Sequence, residues 1–486
     1  MKKRTIWGKV FGLIALTAVI GFLATACPAD GGINGNGGNG DNSGNNGNGG
    51  NGNNGGNNGN GDNGNGGDNG NNNANYRIIA YLGRDDNGTS YDLIITEPET
   101  ASARVASPEG PSYRLVVTPR GETPRVSEGT AARTNGGIGL RSSRGGEAAV
   151  TLDDDELDGI NGEISYEDGS TETVDTTLTP YNVYIAGQVD GPCYWNGKSR
   201  VDLPLPAGAY NAIVQHITVV NSDVYVAGYY TGQNDGSSRA CYWKNGVRTD
   251  LTDCNYPPDS FTVDSSGNVY VNIYGWGVWV NNQKKITEVD KNEFINNDPY
   301  ASYIYSITTV DTHIYAAGFY LNDTSTTPNS GFCYWKDGYR TALSVNGIAS
   351  YQSIAVSKTE DVYVLGYTTD NTNQKETYCY WKNGIERTDL QTTGNLNSVR
   401  THSIMVDSNN DVYVAGYDNG PCYWKNGVKT SFASSGGEFI AATASGGNVY
   451  AVSKDTDGPG YFVNGEFIAF ENRGNGYWST TICVVD

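Results

Sequence analysis

From residue 181 onward the chain is a succession of short apolar runs separated by Asp, Asn, Ser and Gly. Valine, tyrosine, isoleucine, threonine and tryptophan dominate the runs, as a pleated and well-packed surface favours. No helical spacing of apolar residues intervenes, so the pattern predicts strands joined by tight turns. Residues 411–432, DVYVAGYDNGPCYWKNGVKTSF, show the unit best. A strand VYVAG leads through a loop to a strand CYW, a Lys-Asn-Gly turn and a last short strand. Asn-Gly adopts the positive φ angles of a two-residue hairpin.

The unit recurs. Its first landmark places a tyrosine at Tyr184, Tyr225, Tyr270, Tyr315, Tyr363, Tyr413 and Tyr450, at intervals of 41, 45, 45, 48, 50 and 37 residues. CYW stands at Cys193, Cys241, Cys333, Cys379 and Cys422, and decays to Gly277-Val278-Trp279 and Gly460-Tyr461-Phe462 in the third and seventh units. With a leading segment such as Ser403-Ile404-Met405-Val406, each unit holds four short strands. Four strands every 40 to 50 residues, with no helix between, imply a β-propeller. The WD-repeat and kelch signatures are absent. VDSSGNVYV at residues 263–271 instead resembles the NHL and SBBP-type propeller repeats, over roughly residues 181–486. That resemblance implies a fold and leaves function open.

The first unit lacks its leading strand, and the chain ends in Thr480-Thr481-Ile482-Cys483-Val484-Val485-Asp486, which has the form of a leading strand with no unit after it. Seven blades therefore match if the C-terminus closes the ring on the first, which removes an exposed sheet edge.

The segments before residue 181 differ in composition. Lys2, Lys3 and Arg4 precede an apolar stretch from Val10 to Leu23, and Leu23-Ala24-Thr25-Ala26-Cys27 follows. This resembles a bacterial lipoprotein signal with the looser lipobox of spirochaetal lipoproteins. The resemblance implies cleavage before Cys27 and acylation of that residue, anchoring the chain in a membrane. Cleavage would remove four cations and no acid, taking a net charge of −21 to −25. Residues 28 to 75 are almost wholly Gly and Asn, with nothing able to offset ordering entropy, and read as a disordered tether. Its r.m.s. span is roughly 35–40 Å. Residues 76–180 lack Lys, Trp, Cys and His, and carry seven strand-like runs suited to a small β-sandwich or barrel, acting as a spacer or accessory module.

Candidate chemistry is sparse. Seven cysteines remain besides Cys27, and the five repeat ones fall on different blades, too far apart to bridge. They read as free thiols filling a constant hole between blades, with Cys254 and Cys483 outside the series. His216, His313 and His402 lie in separate units without metal-ligand spacing. Asp154–Gly159 starts like an EF-hand loop, but Ser165 falls where its bidentate acid belongs. The acidic run 407–411 reads as a turn. No nucleophile elbow, Walker A loop or dinucleotide fingerprint exists, so no catalytic residue, cofactor or metal site is assigned. The strong negative charge disfavours nucleic acid.

Turns from first to second and third to fourth strand are short and uniform, and they share one face. The other loops vary in length and share the opposite face, where function concentrates. An aromatic stands just past the second strand in five units: Tyr229, Tyr274, Phe319, Tyr367 and Tyr417, with Gln188 and Lys454 in the first and last. Such a series could grip a sugar or peptide side chain; packing between blades is the competing use. The expectation is a monomeric, lipid-anchored envelope protein, at the outer membrane or cell surface, whose propeller binds a glycan or protein. A polysaccharide hydrolase or lyase with loop-borne acids, or a purely structural envelope protein, is the alternative.

Overall fold

The computed structural model describes residues 76–486 apart from 99–110, 154–155, 189, 197–199, 233–235, 274–276, 287–300, 321–330, 345–347, 371–375, 394–398, 433–438, 454–459, 470–477 and 486. The signal segment, Cys27 and the Gly/Asn tract lie outside the described residues. Among the described residues there are strands and turns and no helix.

The first nine strands are β1 (Tyr76–Arg84), β2 (Ser90–Pro98), β3 (Ser112–Thr118), β4 (Arg125–Thr134), β5 (Gly137–Ser142), β6 (Glu147–Asp153), β7 (Glu156–Ser165), β8 (Thr171–Thr177) and β9 (Thr179–Pro180). They make one antiparallel sheet in which each of β1 to β7 pairs with the next. β9 returns to pair with β1 through Gly83–Pro180 and Arg84–Thr179, and β7 lies against both. The sheet thus rolls into a nearly closed barrel around Leu93, Leu115, Val117, Ile138, Ile160 and Tyr166. Of the two expected forms, the barrel is the one built. β4 escapes the hydrophobic pattern because most of RVSEGTAART is exposed or half-exposed, with Ser127 and Ala131 alone turned fully inward.

The rest of the chain folds into seven four-stranded antiparallel sheets, as the repeat predicts. Blade 2, for example, runs Ala209–Val220, Asp223–Gly232, Ser238–Lys244 and Val247–Asp250. First strands of successive blades touch in an unbroken circuit that returns from blade 7 to blade 1. They therefore surround the axis, and fourth strands form the rim. Blade 1 takes its first strand from the far end of the chain. Trp478–Val485 pairs antiparallel with Asn182–Gln188, from Asn182–Val485 to Gln188–Trp478. The expected closure is the one observed.

Strand alternation explains the repeat letter by letter. In blade 5, Val362, Val364, Cys379 and Trp381 pack against blade 4, whereas Tyr363 and Tyr380 pack against blade 6. The tryptophan also ties neighbours together. Indole N–H groups of Trp243, Trp279, Trp381 and Trp424 donate to the carbonyls of Pro204, Thr252, Ser344 and Gln391 at 3.0, 2.8, 3.2 and 2.6 Å. Each of those carbonyls follows the fourth strand of the preceding blade. Trp381→Phe should keep most of the apolar contact and leave the Ser344 carbonyl without the indole, at about 1–2 kcal/mol. Trp381→Ala should cost about 3–5 kcal/mol by opening a cavity. Urea unfolding midpoints measure both, and equal midpoints for the two variants would show that ring packing contributes nothing.

The five repeat cysteines form no disulfide and are fully buried. Burial pushes the thiols of Cys379 and Cys422 up to about 12, so they act as small apolar side chains.

The seam between blades 7 and 1 differs from the other six. Ala80, Leu82, Ile94 and Val116 of the barrel join its core, together with Tyr181, Ile185, Tyr450, Tyr461 and Ile482. The Arg84 guanidinium donates to Ser445 Oγ at 3.2 Å and the Tyr450 hydroxyl at 3.0 Å, and lies 4.7 Å over the Tyr181 ring. The Tyr181 hydroxyl donates to the wholly buried carboxylate of Asp92. Desolvation pushes the Asp92 carboxyl up to about 7, against the opposing pull of Tyr181 and Arg84. Arg114 pairs with Glu466 and donates to the Phe467 carbonyl at 2.8 Å. Gly446 and Gly447 make the blade 7 turn at φ 59° and 87°. A Cβ on Gly446 would strike the Arg84 guanidinium, and one on Gly447 the Arg120 side chain. Blade 7 is thus shaped for the barrel, which is part of the seam and more than a spacer.

Candidate functional site

The two ends of the blades are chemically distinct. At the short-turn end, Asn245, Asn281, Asn383, Asn426 and Asn464 occupy the hairpin between third and fourth strands, all at positive φ. In blade 5 the Asn383 side-chain carbonyl accepts from the Val362 N–H at 2.8 Å, and its amide donates to Asp361 at 2.7 Å. Blades 2, 3, 6 and 7 repeat this clasp. Blade 4 substitutes Asp337, which accepts from the Ile314 N–H at 2.9 Å and meets His313 Nδ1 at 2.5 Å. The Asp407 carboxylate is engaged by the N–H groups of Asn409 and Asp411 at 2.8 and 3.0 Å and by the Tyr413 hydroxyl at 3.2 Å. These side chains build turns, as the acidic run 407–411 implied.

At the opposite end lie the aromatic positions. Tyr229, Phe319, Tyr367 and Tyr417 each follow the glycine of their second strand and are half-buried. Tyr274 lies outside the described residues, as do large parts of the variable loops. The cross-strand partners on the axis-lining strands are Ile213, Tyr303, Ser350 and Arg400. The aromatic series therefore stands one strand back from the axis. Phe319 meets Phe332 edge-on at 5.0 Å, and Tyr367 tilts against Tyr378 at 5.4 Å. Tyr367 also packs on the core between blades 5 and 6. Burial pushes the Tyr229 phenol up. Tyr367 thus serves the blade interface with part of its ring, and all four aromatics keep part of their surface open to solvent.

Two features of this end escaped the sequence reading. Phe332 and Tyr378 sit just before CYW, where cross-strand register makes them the natural partners of Phe319 and Tyr367. Arg400 is exposed, opens the axis strand of blade 6 beside Tyr417, and lies within electrostatic reach of the Tyr378 phenol. The arginine follows a variable loop and matches no repeat position, so only the fold brings it to the tyrosines. Among the described residues two carboxylates near these tyrosines, Glu376 and Asp418, are engaged. Glu376 accepts from the Tyr378 hydroxyl at 3.3 Å. Asp418 is buried and accepts from the Thr393 N–H and hydroxyl at 2.9 and 2.6 Å and from Lys429 at 2.9 Å.

The histidines do not converge. His216 is half-buried beside Phe261, with ring centroids 6.4 Å apart, and desolvation of its ring drives the imidazole down to about 4. His313 is half-exposed in its turn, and His402 lies on blade 6. Among the described residues no group of three His, Cys, Asp or Glu side chains could hold a metal ion.

No protein-family profile matches this chain, and no curated protein does. Solved structures resemble it at low identity. A protein provisionally described as a gluconolactonase is 10% identical, with a TM-score of 0.31 over 51% of this chain and 90% of its own. The β-propeller domain of the Trilobed protease from Pyrococcus furiosus, described as having an open velcro topology, is 12% identical. Its TM-score is 0.26, over 65% of this chain and 97% of that one. Acylaminoacyl peptidase from Pyrococcus horikoshii is 10% identical at a TM-score of 0.26, over 78% and 59% of the two chains. Likenesses of this size carry no activity across, and the propeller is established by the strand order of this chain.

Proposed function

We propose that this protein is an envelope lipoprotein, anchored through acylated Cys27, whose propeller binds a glycan or protein ligand at its variable face without catalysing a reaction. One observation carries the reading: half-buried aromatics recur at a single register in four blades, beside an exposed arginine at the mouth of the axis. Rings of this kind offer an apolar face and, in tyrosine, a polar tip to sugars and peptide side chains. The engaged state of Glu376 and Asp418 supports binding over hydrolysis, because a glycosidase needs two carboxyl groups facing its substrate.

Tyr229→Ala combined with Tyr417→Ala should weaken binding at least tenfold in a screen of glycans and envelope proteins, with the parent chain run in parallel. Thermal melting checks that the double variant remains folded. Ligands held equally well by parent and variant would remove the proposed site. Anchoring is tested separately by the mass of Cys27 in protein extracted from membranes.

A further inference from the structure

Of the five large apolar side chains exposed among the described residues, three occupy one repeat position, the residue that opens the fourth strand, and a fourth, Ile385, stands one residue before it in the turn of blade 5. Val247, Tyr339 and Val428 are 69%, 71% and 55% exposed, and Ile385, at the same turn, is 75% exposed. Tyr339, Ile385 and Val428 fall on the consecutive blades 4, 5 and 6. All stand at the short-turn end, opposite the variable face. In blade 7 the same position holds Glu466, which Arg114 of the barrel engages. In blades 3 and 5 the strand-opening residues are Gln283 and Glu386, both exposed, so the apolar tips are confined to Val247, Tyr339, Val428 and the turn residue Ile385.

The surroundings narrow the occupant. Lys336, Lys382 and Lys425 flank the apolar tips, and their ammonium groups pair with Glu360, Asp361 and Asp411 at 2.5, 2.9 and 2.9 Å. These three lysines are therefore charge-compensated, on a chain of charge −21, with Asp337 and Glu386 also standing beside the tips. The apolar groups are single side chains on separate blades, without the contiguous apolar centre that a protein interface requires. A bilayer interface needs no such continuity, because it closes around separated tips, and tyrosine and lysine stems both suit the headgroup region. The 48 residues between Cys27 and Tyr76 keep such a surface within reach.

We infer that Tyr339, Ile385 and Val428 form a membrane-resting arc that seats the propeller on a lipid surface with its variable face turned outward. The outward orientation rests on the anchoring proposed above, whereas lipid contact by the arc does not. The acyl-free Cys27→Ser chain, incubated with phosphatidylcholine vesicles at millimolar lipid, should sediment with them, with little dependence on salt. Replacing Tyr339, Ile385 and Val428 together by serine should lower that partition at least tenfold while leaving the melting curve unchanged. A fluorophore attached through Ile385→Cys should brighten and be quenched by shallow spin-labelled lipid, while one attached through Asn419→Cys on the variable face should not. Absence of partition, equal partition by the serine variant, or equal response of the two labels would overturn the inference. So would a chain dimer in solution that the serine substitutions dissociate, which would assign the arc to a second copy. If instead the vesicle result holds and Cys27 proves unacylated in cells, anchoring fails and the arc stands.

Discussion

Deleting residues 478–486 is expected to abolish cooperative folding of the propeller. The lost strand is the axis-lining member of blade 1, and its removal exposes the edge of Asn182–Gln188. It also empties two blade interfaces at once. Ile482 belongs to the core between blades 7 and 1, and Cys483 packs on the core between blades 1 and 2. Burial of Ile482 and its neighbours and the ladder of this strand together contribute roughly 5–10 kcal/mol, the scale of a whole domain's stability. Circular dichroism on heating should show a broad, early loss of signal in place of one sharp transition. Adding the peptide 478–486 in excess should restore part of the sharpness. A truncated chain that melts cooperatively within a few degrees of the parent would refute closure as the source of stability.

The second large effect is a pH dependence set at the seam. The Asp92 carboxyl is held at about 7 against an ordinary 3.8, so the folded protein keeps a proton that the unfolded chain releases. The resulting stability is complete below about 4, falls away as pH rises from about 4 to about 7, and stays lost above. His216 acts in the opposite sense. Its imidazole is held at about 4 against 6.5, so stability is present above 6.5 and is lost as pH falls toward about 4. Asp92→Asn removes the first effect and keeps an acceptor for the Tyr181 hydroxyl. The variant should be more stable than the parent at pH 8 by on the order of 2 kcal/mol, and equal to it near pH 4. Urea midpoints at the two pH values decide the matter. A variant weaker at pH 8, or one offset equally at both, would show that the charged carboxylate and Arg84 stabilise each other more than burial costs.

Much of this molecule was readable before any coordinates. VYVAG and CYWKNG announce their strands because apolar alternation and Asn-Gly turns act over a few residues. The unpaired tail at 480–486 revealed the closure by simple counting of strands. β4 was not readable, since RVSEGTAART buries little and its pairing comes from neighbours on both sides. The roles of the repeat asparagines went unseen for a related reason. Asn383 is legible as a turn residue, while its clasp on Val362 and Asp361 joins positions about twenty residues apart. Tyr229, Phe319, Tyr367 and Tyr417 were found by register, but their setting one strand back from the axis depends on the order of strands within each sheet.

Local alternation, turn chemistry and period were enough to specify seven blades, the strand that seals them and the buried place of each repeat cysteine, because each follows from contacts a repeat makes with itself or its neighbour. Three things awaited tertiary structure: the barrel at the 7–1 seam, the buried Asp92 among three tyrosines and an arginine, and the nearness of Arg400 to Tyr417 and Tyr378. Each joins residues from parts of the chain that share no periodic relation. Such meetings are chosen by shape and charge after the strands have formed, and leave no local pattern behind.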